Sequence, residues 1–230
     1  YQAIRKFKDG SAADLDRALT ETMQLFGRRY PGRGYGGHFK LWLSSGAPRP
    51  YNSFGNGSAM RVSPVAWAFD DLRDVERYAE VTARVSHNHP EGIKGAKATA
   101  AAVLLARYDC SRDTLRKYAA VWYGYDMSRT TDEIRPDYHH KESCQGTVPE
   151  ALTAFLEARG FEEALRLAVS LGGDSDTLAA ITCSMAEAAW DVPPEIADRT
   201  ADLLDPFLRD VLDRWEGWRA GALRSRSLEF

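Results

Sequence analysis

Cysteine is scarce in this chain of 230 residues, and long apolar runs and an excess of either charge are absent. Cys110, Cys144 and Cys183 form no Cys-x-x-Cys pair and are odd in number, which argues against both a zinc ribbon and a disulfide framework. A reducing cytoplasm is the expected setting. No run approaches the roughly 18–20 apolar residues that a membrane-spanning helix needs, and Tyr1 to Arg5 lacks the layout of a secretory signal. Thirty Lys plus Arg against 33 Asp plus Glu leave a formal net charge of -3, so there is no basic field to hold nucleic acid or an anionic membrane. The 44% hydrophobic, 27% charged and 11% aromatic content excludes disordered and fibrous classes and points to a globular protein. Position 1 is not Met, which reads as a fragment, a processed form or a renumbered chain.

What is present is helical periodicity, with almost no alternating strand pattern. Leu15, Ala18, Leu19, Met23, Leu25 and Phe26 lie close to one stripe of a helix that starts near Ser11 or Asp14 and ends at Gly27. A short helix around Phe39 to Leu43 precedes a long irregular stretch from Ser44 to Gly57. Helices are then expected over Ser58 to Phe69, Asp71 to Ser86, Pro90 to Tyr108 and Ser111 to Tyr123. The polar stretch Gly124 to Thr147 reads as a surface excursion. Helices resume over Val148 to Ala158, Phe161 to Leu171, Asp176 to Trp190 and Pro194 to Trp218. No repeat or linker interrupts this series, so the expectation is one compact all-α domain over residues 1–218 with a polar tail over 219–230.

One constellation stands out as chemistry. Gly172-Gly173-Asp174-Ser175-Asp176-Thr177 runs straight into the apolar helix from Leu178 to Trp190. Two glycines permit a tight turn, and the following residues gather two carboxylates and a hydroxyl at a helix start, an oxygen set suited to magnesium or manganese. Capping of that helix by one of the two acids is the plainer alternative.

Three weaker strings accompany it. Gly55-Asn56-Gly57-Ser58 leaves backbone amides unshielded and could cradle a phosphate or a ribose, although an ordinary Asn-Gly turn capped by Ser58 has the same sequence. Trp42 and Tyr51 nearby are candidates for stacking on a base. His87-Asn88-His89-Pro90 precedes a helix carrying Gly92 and Gly95; it lacks a further ligand for zinc, which leaves hydrogen bonding to a polar ligand for the histidines and close backbone approach for the glycines. Cys144, with His139 and His140 close in sequence, reads as a buried, inert cysteine rather than a nucleophile.

Taken in order, Gly55-Asn-Gly-Ser-Ala-Met-Arg-Val-Ser-Pro, His87-Asn-His-Pro-Glu-Gly-Ile-Lys-Gly-Ala and Gly173-Asp-Ser-Asp-Thr resemble the signature segments of the ADP-ribosylglycohydrolase family, of the dinitrogenase-reductase-activating glycohydrolase-like type, from about Tyr30 to Asp205. The resemblance implies an all-α fold with a binuclear magnesium or manganese centre that removes ADP-ribose from a modified side chain, such as arginine or serine, or from a small acceptor. By that resemblance Asp174, Asp176 and Thr177 would be metal ligands, with Asp174 and Asp176 carrying the catalysis. Gly55, Asn56, Gly57 and Ser58 would line the ADP-ribose site, His89 would lie close to the diphosphate or the distal ribose, and Gly36 and Gly37 would border the same cleft.

The sequence departs from the family at two places. A Gly-Asp segment and a Thr-Asp-Asp-Thr cluster, which complete the metal centre in the family, do not occur here, and Asp70-Asp71 sits at a helix junction where capping explains it. Cys183 stands where the family tends to have glycine. Three readings follow: an incompletely represented hydrolase, a short form that binds ADP-ribose-like ligands without efficient turnover, or a chain whose missing carboxylates come from a partner or a swapped copy. The expected partner is an ADP-ribosylated protein or small ADP-ribosyl conjugate, with homo-oligomerisation open and with neither membrane nor nucleic acid. The alternative function is a binding or interaction module, for example one neutralising an ADP-ribosylating toxin.

Overall fold

The computed structural model describes residues 12–226, which are helical with no strand among them. The chain divides into two compact units, one running through Trp190 and the other from Asp191.

In the first unit α1 (Ala12–Arg29) and α2 (Gly37–Ser44) lead into α3 (Gly57–Met60) and α4 (Ser63–Ala68). Then come α5 (Leu72–Arg84), α6 (Pro90–Arg107), α7 (Arg112–Tyr123) and the single turn α8 (Thr131–Ile134). The unit closes with α9 (Cys144–Glu157), α10 (Phe161–Ser170) and α11 (Ser175–Trp190).

Helix α6 is the axis of the unit, in contact with α3, α4, α5, α7, α9 and α11. Its composition allows this: Gly92, Gly95, Ala96, Ala98, Ala100, Ala101, Ala102 and Ala106 are all buried, and small side chains let neighbouring backbones come close. Gly95 is where the approach is tightest, since a Cβ there would lie 2.5 Å from Cys144 Sγ on α9. A second cluster, Leu15, Leu19, Trp42, Leu43, Val81 and Val85, fastens α1 and α2 to α5. Each such side chain contributes about 1.5–3 kcal/mol on burial.

Capping follows the sequence in several places. Asp71 accepts from Arg73 N at 2.8 Å and Asp74 N at 3.2 Å at the start of α5, as its junction position predicts, and Ser111 caps α7 through Thr114 N. Ser11, one of the two expected caps of α1, lies outside the described residues, while Asp14 falls within the first turn, and α1 runs past Gly27 to Arg29. The expected helix from Ser58 to Phe69 is two helices, because Pro64 has no N–H to offer the turn before it. Helix α9 starts at Cys144 rather than Val148 and holds Pro149 inside it. The stretch from Gly124 to Thr147 runs largely over the surface as expected, anchored by the buried side chains of Tyr125, Met127, Thr131, Ile134 and Tyr138.

The second unit consists of α12 (Pro194–Asp202) and α13 (Pro206–Arg226), again a break at a proline where one helix was expected. Asp205 caps α13 through the amides of Phe207 and Leu208 at 2.9 and 3.0 Å. The tail expected from Arg219 is, through Arg226, part of this helix; residues 227–230 lie outside the described ones. No helix among the described residues is long and apolar enough to cross a membrane.

Candidate active site

Three distant segments of the first unit meet at the loop before α3. Gly172 and Gly173 turn the chain with φ of 75° and 63°, a region in which side-chain-bearing residues are strained, and this turn delivers Asp174 to the start of α11. Gly173 is also pressed against the backbone of His139, where a Cβ would lie 3.0 Å from the carbonyl oxygen.

Asn56 joins these elements. Its side-chain amide donates to Asp174 Oδ2 at 2.7 Å, Thr147 Oγ1 at 3.1 Å and the Lys141 carbonyl at 3.3 Å, while its backbone N–H donates to the Glu142 carbonyl at 2.8 Å. Phe54 and Gly55 are held from the same side: Cys144 N donates to the Phe54 carbonyl at 2.9 Å, and Gly55 pairs with Ser143 in an isolated antiparallel bridge. The loop is thus fastened to α9 and the segment before it, the amides expected to be unshielded are bonded at Gly55 (to Ser53 Oγ, 3.1 Å) and Asn56, and Ser58 lies inside α3 instead of capping it.

Asp174 and Asp176 adjoin. Burial and the neighbouring Asp176 hold the Asp174 carboxyl above the usual carboxylate range, against the lowering effect of hydrogen bonds from Asn56 and Thr177. Asp174 is partly buried and Asp176 exposed, whereas Thr177 is buried with its hydroxyl toward Met60 Sδ at 3.7 Å. This oxygen-only set fits one hard divalent cation whose remaining positions are taken by water. Among the described residues no group of three or more His, Cys, Asp or Glu is placed to hold a metal ion, so Asp174 and Asp176 stand as a pair.

The remaining sequence candidates fall in different places. Gly55 and Gly57 border the loop surface, but Ser58 is fully buried and spends its hydroxyl on the Gly92 carbonyl at 2.8 Å, so it holds the loop to α6 from beneath. His89 caps α6 through Nδ1, accepting from Glu91 N at 3.1 Å, with its ring edge-on to Phe54 at 5.4 Å. Gly36 and Gly37 open α2 at the surface. Trp42 is unavailable for stacking: it is 3% exposed and its indole N–H is bonded to the Val85 carbonyl at 3.1 Å. Tyr51 lies between the rings of His38 and His87, at one wall of a cleft of about 240 Å³ shared with Leu41 and Arg49. Cys144 is inert as expected, fully buried, with burial pushing its thiol up to about 11. Burial likewise raises Cys183 to about 12.

The structure adds Phe54 to the candidates and distinguishes the two histidines. Phe54 is 49% exposed on the rim of the loop, and no sequence pattern marks it. His87, rather than His89, faces the loop itself: its Nε2 lies 3.4 Å from where a Cβ would stand on either Gly55 or Gly57, so the two missing side chains make room for the ring.

The sequence model of the ADP-ribosylglycohydrolase family matches residues 3–224. The chain belongs to the ADP-ribosylglycohydrolase family. Among its relatives in that family, the ADP-ribosylhydrolase ARH3 of Homo sapiens is 25% identical over 183 residues, covering 60% of this chain and 50% of the human one. The ARH3 of Gallus gallus is 35% identical over 102 residues, 38% of this chain and 28% of the other. An uncharacterised protein of Archaeoglobus fulgidus is 34% identical over 140 residues, 54% of this chain and 46% of that one. The chain thus spans about half or less of the length of these relatives. A solved structure of an ADP-ribosylglycohydrolase-related protein complex superimposes with a TM-score of 0.66 at 22% identity, over 93% of this chain and 75% of that one, which shows the ADP-ribosylglycohydrolase fold.

Proposed function

We propose that this chain binds ADP-ribose over the Gly55–Gly57 loop and cleaves its bond to a modified protein side chain, or to a small acceptor, at the anomeric carbon. The observation that carries the reading is the bond of 2.7 Å from Asn56 to Asp174, which joins the Gly55–Gly57 loop to an acid pair 118 residues away. Names of relatives point the same way: the ARH3 proteins are ADP-ribosylhydrolases.

In this reading the Gly55–Gly57 loop is the floor of the ligand site, Asn56 spends its amide on positioning that floor against the acid turn, and Phe54 with His89 offers an aromatic rim. Asp174 and Asp176 turn negative charge toward the anomeric carbon, where positive charge builds as the bond breaks. Asp174, Asp176 and Thr177 would hold a magnesium or manganese ion, whose contribution when bound is Lewis-acid polarisation. The test is release of ADP-ribose from ADP-ribosylated arginine and serine peptides, with magnesium, with manganese and with chelator, for the 230-residue chain and for Asp176→Asn. Cation-dependent release that the substitution abolishes supports the reading; release unaffected by it refutes the role of the acid cluster.

A second reading rests on the acids being a pair, Asp174 and Asp176, since the described residues contain no group of three or more His, Cys, Asp or Glu that could hold a metal ion. With only one cation held, the chain would bind ADP-ribose and turn over substrate poorly. Binding without release in the same assay would select it.

A further inference from the structure

Arg61 and Ser86 have no part in the site as described, yet they stand directly behind it. Arg61 ends α3, and its guanidinium donates to the Gly57 carbonyl at 2.7 Å, the Thr82 carbonyl at 3.1 Å and Ser86 Oγ at 3.1 Å. All of these acceptors are neutral, and Arg61 Nε is buried without a partner. Ser86 is fully buried just beyond α5, and its Oγ lies 2.8 Å from Nδ1 of His87.

The direction of the second bond follows from the first. A guanidinium can only donate, so Ser86 Oγ accepts from Arg61. That leaves one hydroxyl proton, and His87 Nδ1 is the one atom placed to take it. The reverse arrangement, in which Nδ1–H donates to the hydroxyl, would strand the serine proton in a sealed position with no acceptor. His87 must then carry its own proton on Nε2, the nitrogen that faces Gly55 and Gly57 and has no hydrogen-bond partner among the described residues.

We infer that Arg61, through Ser86, is a positioning residue that fixes His87 as the Nε2–H tautomer, so that the ring donates to an acceptor oxygen of a ligand lying on the Gly55–Gly57 loop. The inference rests on the ADP-ribose reading for the identity of that ligand, and a phosphate or a sugar oxygen would each serve. Burial and the nearby Arg61 charge push His87 down to about 3, so the ring stays neutral at physiological pH and its single donor stays on the loop side.

The test begins with the unliganded full chain. Two-bond proton–nitrogen correlation spectra report which imidazole nitrogen carries the proton, and His87 should show Nε2–H with no titration between pH 5 and 8. In Ser86→Ala the lock is gone, so His87 should become a mixture of tautomers. Its affinity for ADP-ribose should fall by the reciprocal of the remaining Nε2–H fraction, about twofold for an even mixture, while the thermal midpoint reports that the fold persists. Ser86→Thr keeps the hydroxyl and should restore both tautomer and affinity. Titrations with ADP and with adenosine separate the sources: a loss of affinity for ADP with none for adenosine assigns the acceptor to phosphate, and a loss for ADP-ribose alone assigns it to the distal ribose. An Nδ1–H tautomer in the wild-type chain, or a Ser86→Ala variant with unchanged tautomer or unchanged ADP-ribose affinity, overturns the inference. Failure of the wild-type chain to bind ADP-ribose at all would instead overturn the functional reading, and the tautomer spectrum would still decide the relay.

Discussion

Replacing Asn56 by alanine is the perturbation that probes the junction of the site most directly. It removes the donor to Asp174 at 2.7 Å and the donor to Thr147 at 3.1 Å. A hydrogen bond to a charged group contributes about 1.5–3 kcal/mol and one between neutral groups about 0.5–1.5 kcal/mol. Water can reach the partly buried Asp174 and recover some of this, so the expected loss is about 2–3 kcal/mol, or roughly 4–12 °C in the thermal midpoint of a chain this long. The same bond should appear as a coupling. In a cycle of Asn56→Ala, Asp174→Ala and the double variant, followed by urea unfolding in chelator, the two losses should fall short of additivity by about 1–2 kcal/mol. Additivity within about 0.5 kcal/mol would mean that the loop and the acid turn are not joined through this amide, and the account of the site would fail with it.

Gly95→Ala should destabilise by about 1–3 kcal/mol, because the added Cβ would meet Cys144 Sγ at 2.5 Å. Combining it with Cys144→Ala should recover part of the loss, and a double variant no better than the sum would place the clash elsewhere. For Glu150 the prediction concerns pH. Its Oε1 accepts from Arg129 at 3.2 Å while Oε2 is buried without a partner, and burial raises its carboxyl above the usual value against the lowering effect of Arg129 and Lys141. A raised carboxyl lends stability while protonated, below about pH 4, and loses it as pH rises through the raised value. Glu150→Gln, which never ionises, should therefore gain on the wild type between pH 4 and pH 8 in urea midpoints. An advantage that is equal at both ends, or larger at pH 4, would contradict the burial argument.

Much of the helical order is legible in the sequence because local rules decide it. The apolar stripe of α5, its Asp71 cap and the Pro90 start of α6 are all set by residues within a turn of each other. Both misread breaks carried their signal in plain view: Ser63-Pro64 and Asp205-Pro206 each end a periodic pattern by withdrawing an N–H, although the apolar spacing continues across them. Pro149 misled in the opposite sense, since near the start of α9 its missing N–H costs one bond that packing on α6 and α11 offsets. The segment from Gly124 to Thr147 is largely exposed, as its polarity implies, but buried anchors such as Tyr125 and Ile134 punctuate it. Burial there depends on specific long-range partners, such as Glu157 accepting from Thr131, which no local pattern encodes.

The site shows the same division. The turn at Gly172 and Gly173 is a local matter of backbone conformation, and the sequence locates it. That Asn56 reaches Asp174, or that His87 and not His89 turns to the loop, follows from how α5, α6, α9 and α11 pack. Ser58 illustrates the limit: its place in the motif suggested ligand contact, while its full burial assigns it to the underside of the loop.

The central claim is that the Gly55–Gly57 loop, the His87 ring and the Asp174–Thr177 turn form one ADP-ribose site. Titrating ADP-ribose into the isotope-labelled chain and mapping the backbone amides that shift tests it most directly. The account predicts saturable shifts concentrated at Phe54 to Ser58, at His87 to His89 and at Gly173 to Thr177, all with one dissociation constant. Shifts confined to the cleft between Leu41, Arg49 and Tyr51, or none at millimolar ADP-ribose, would contradict it.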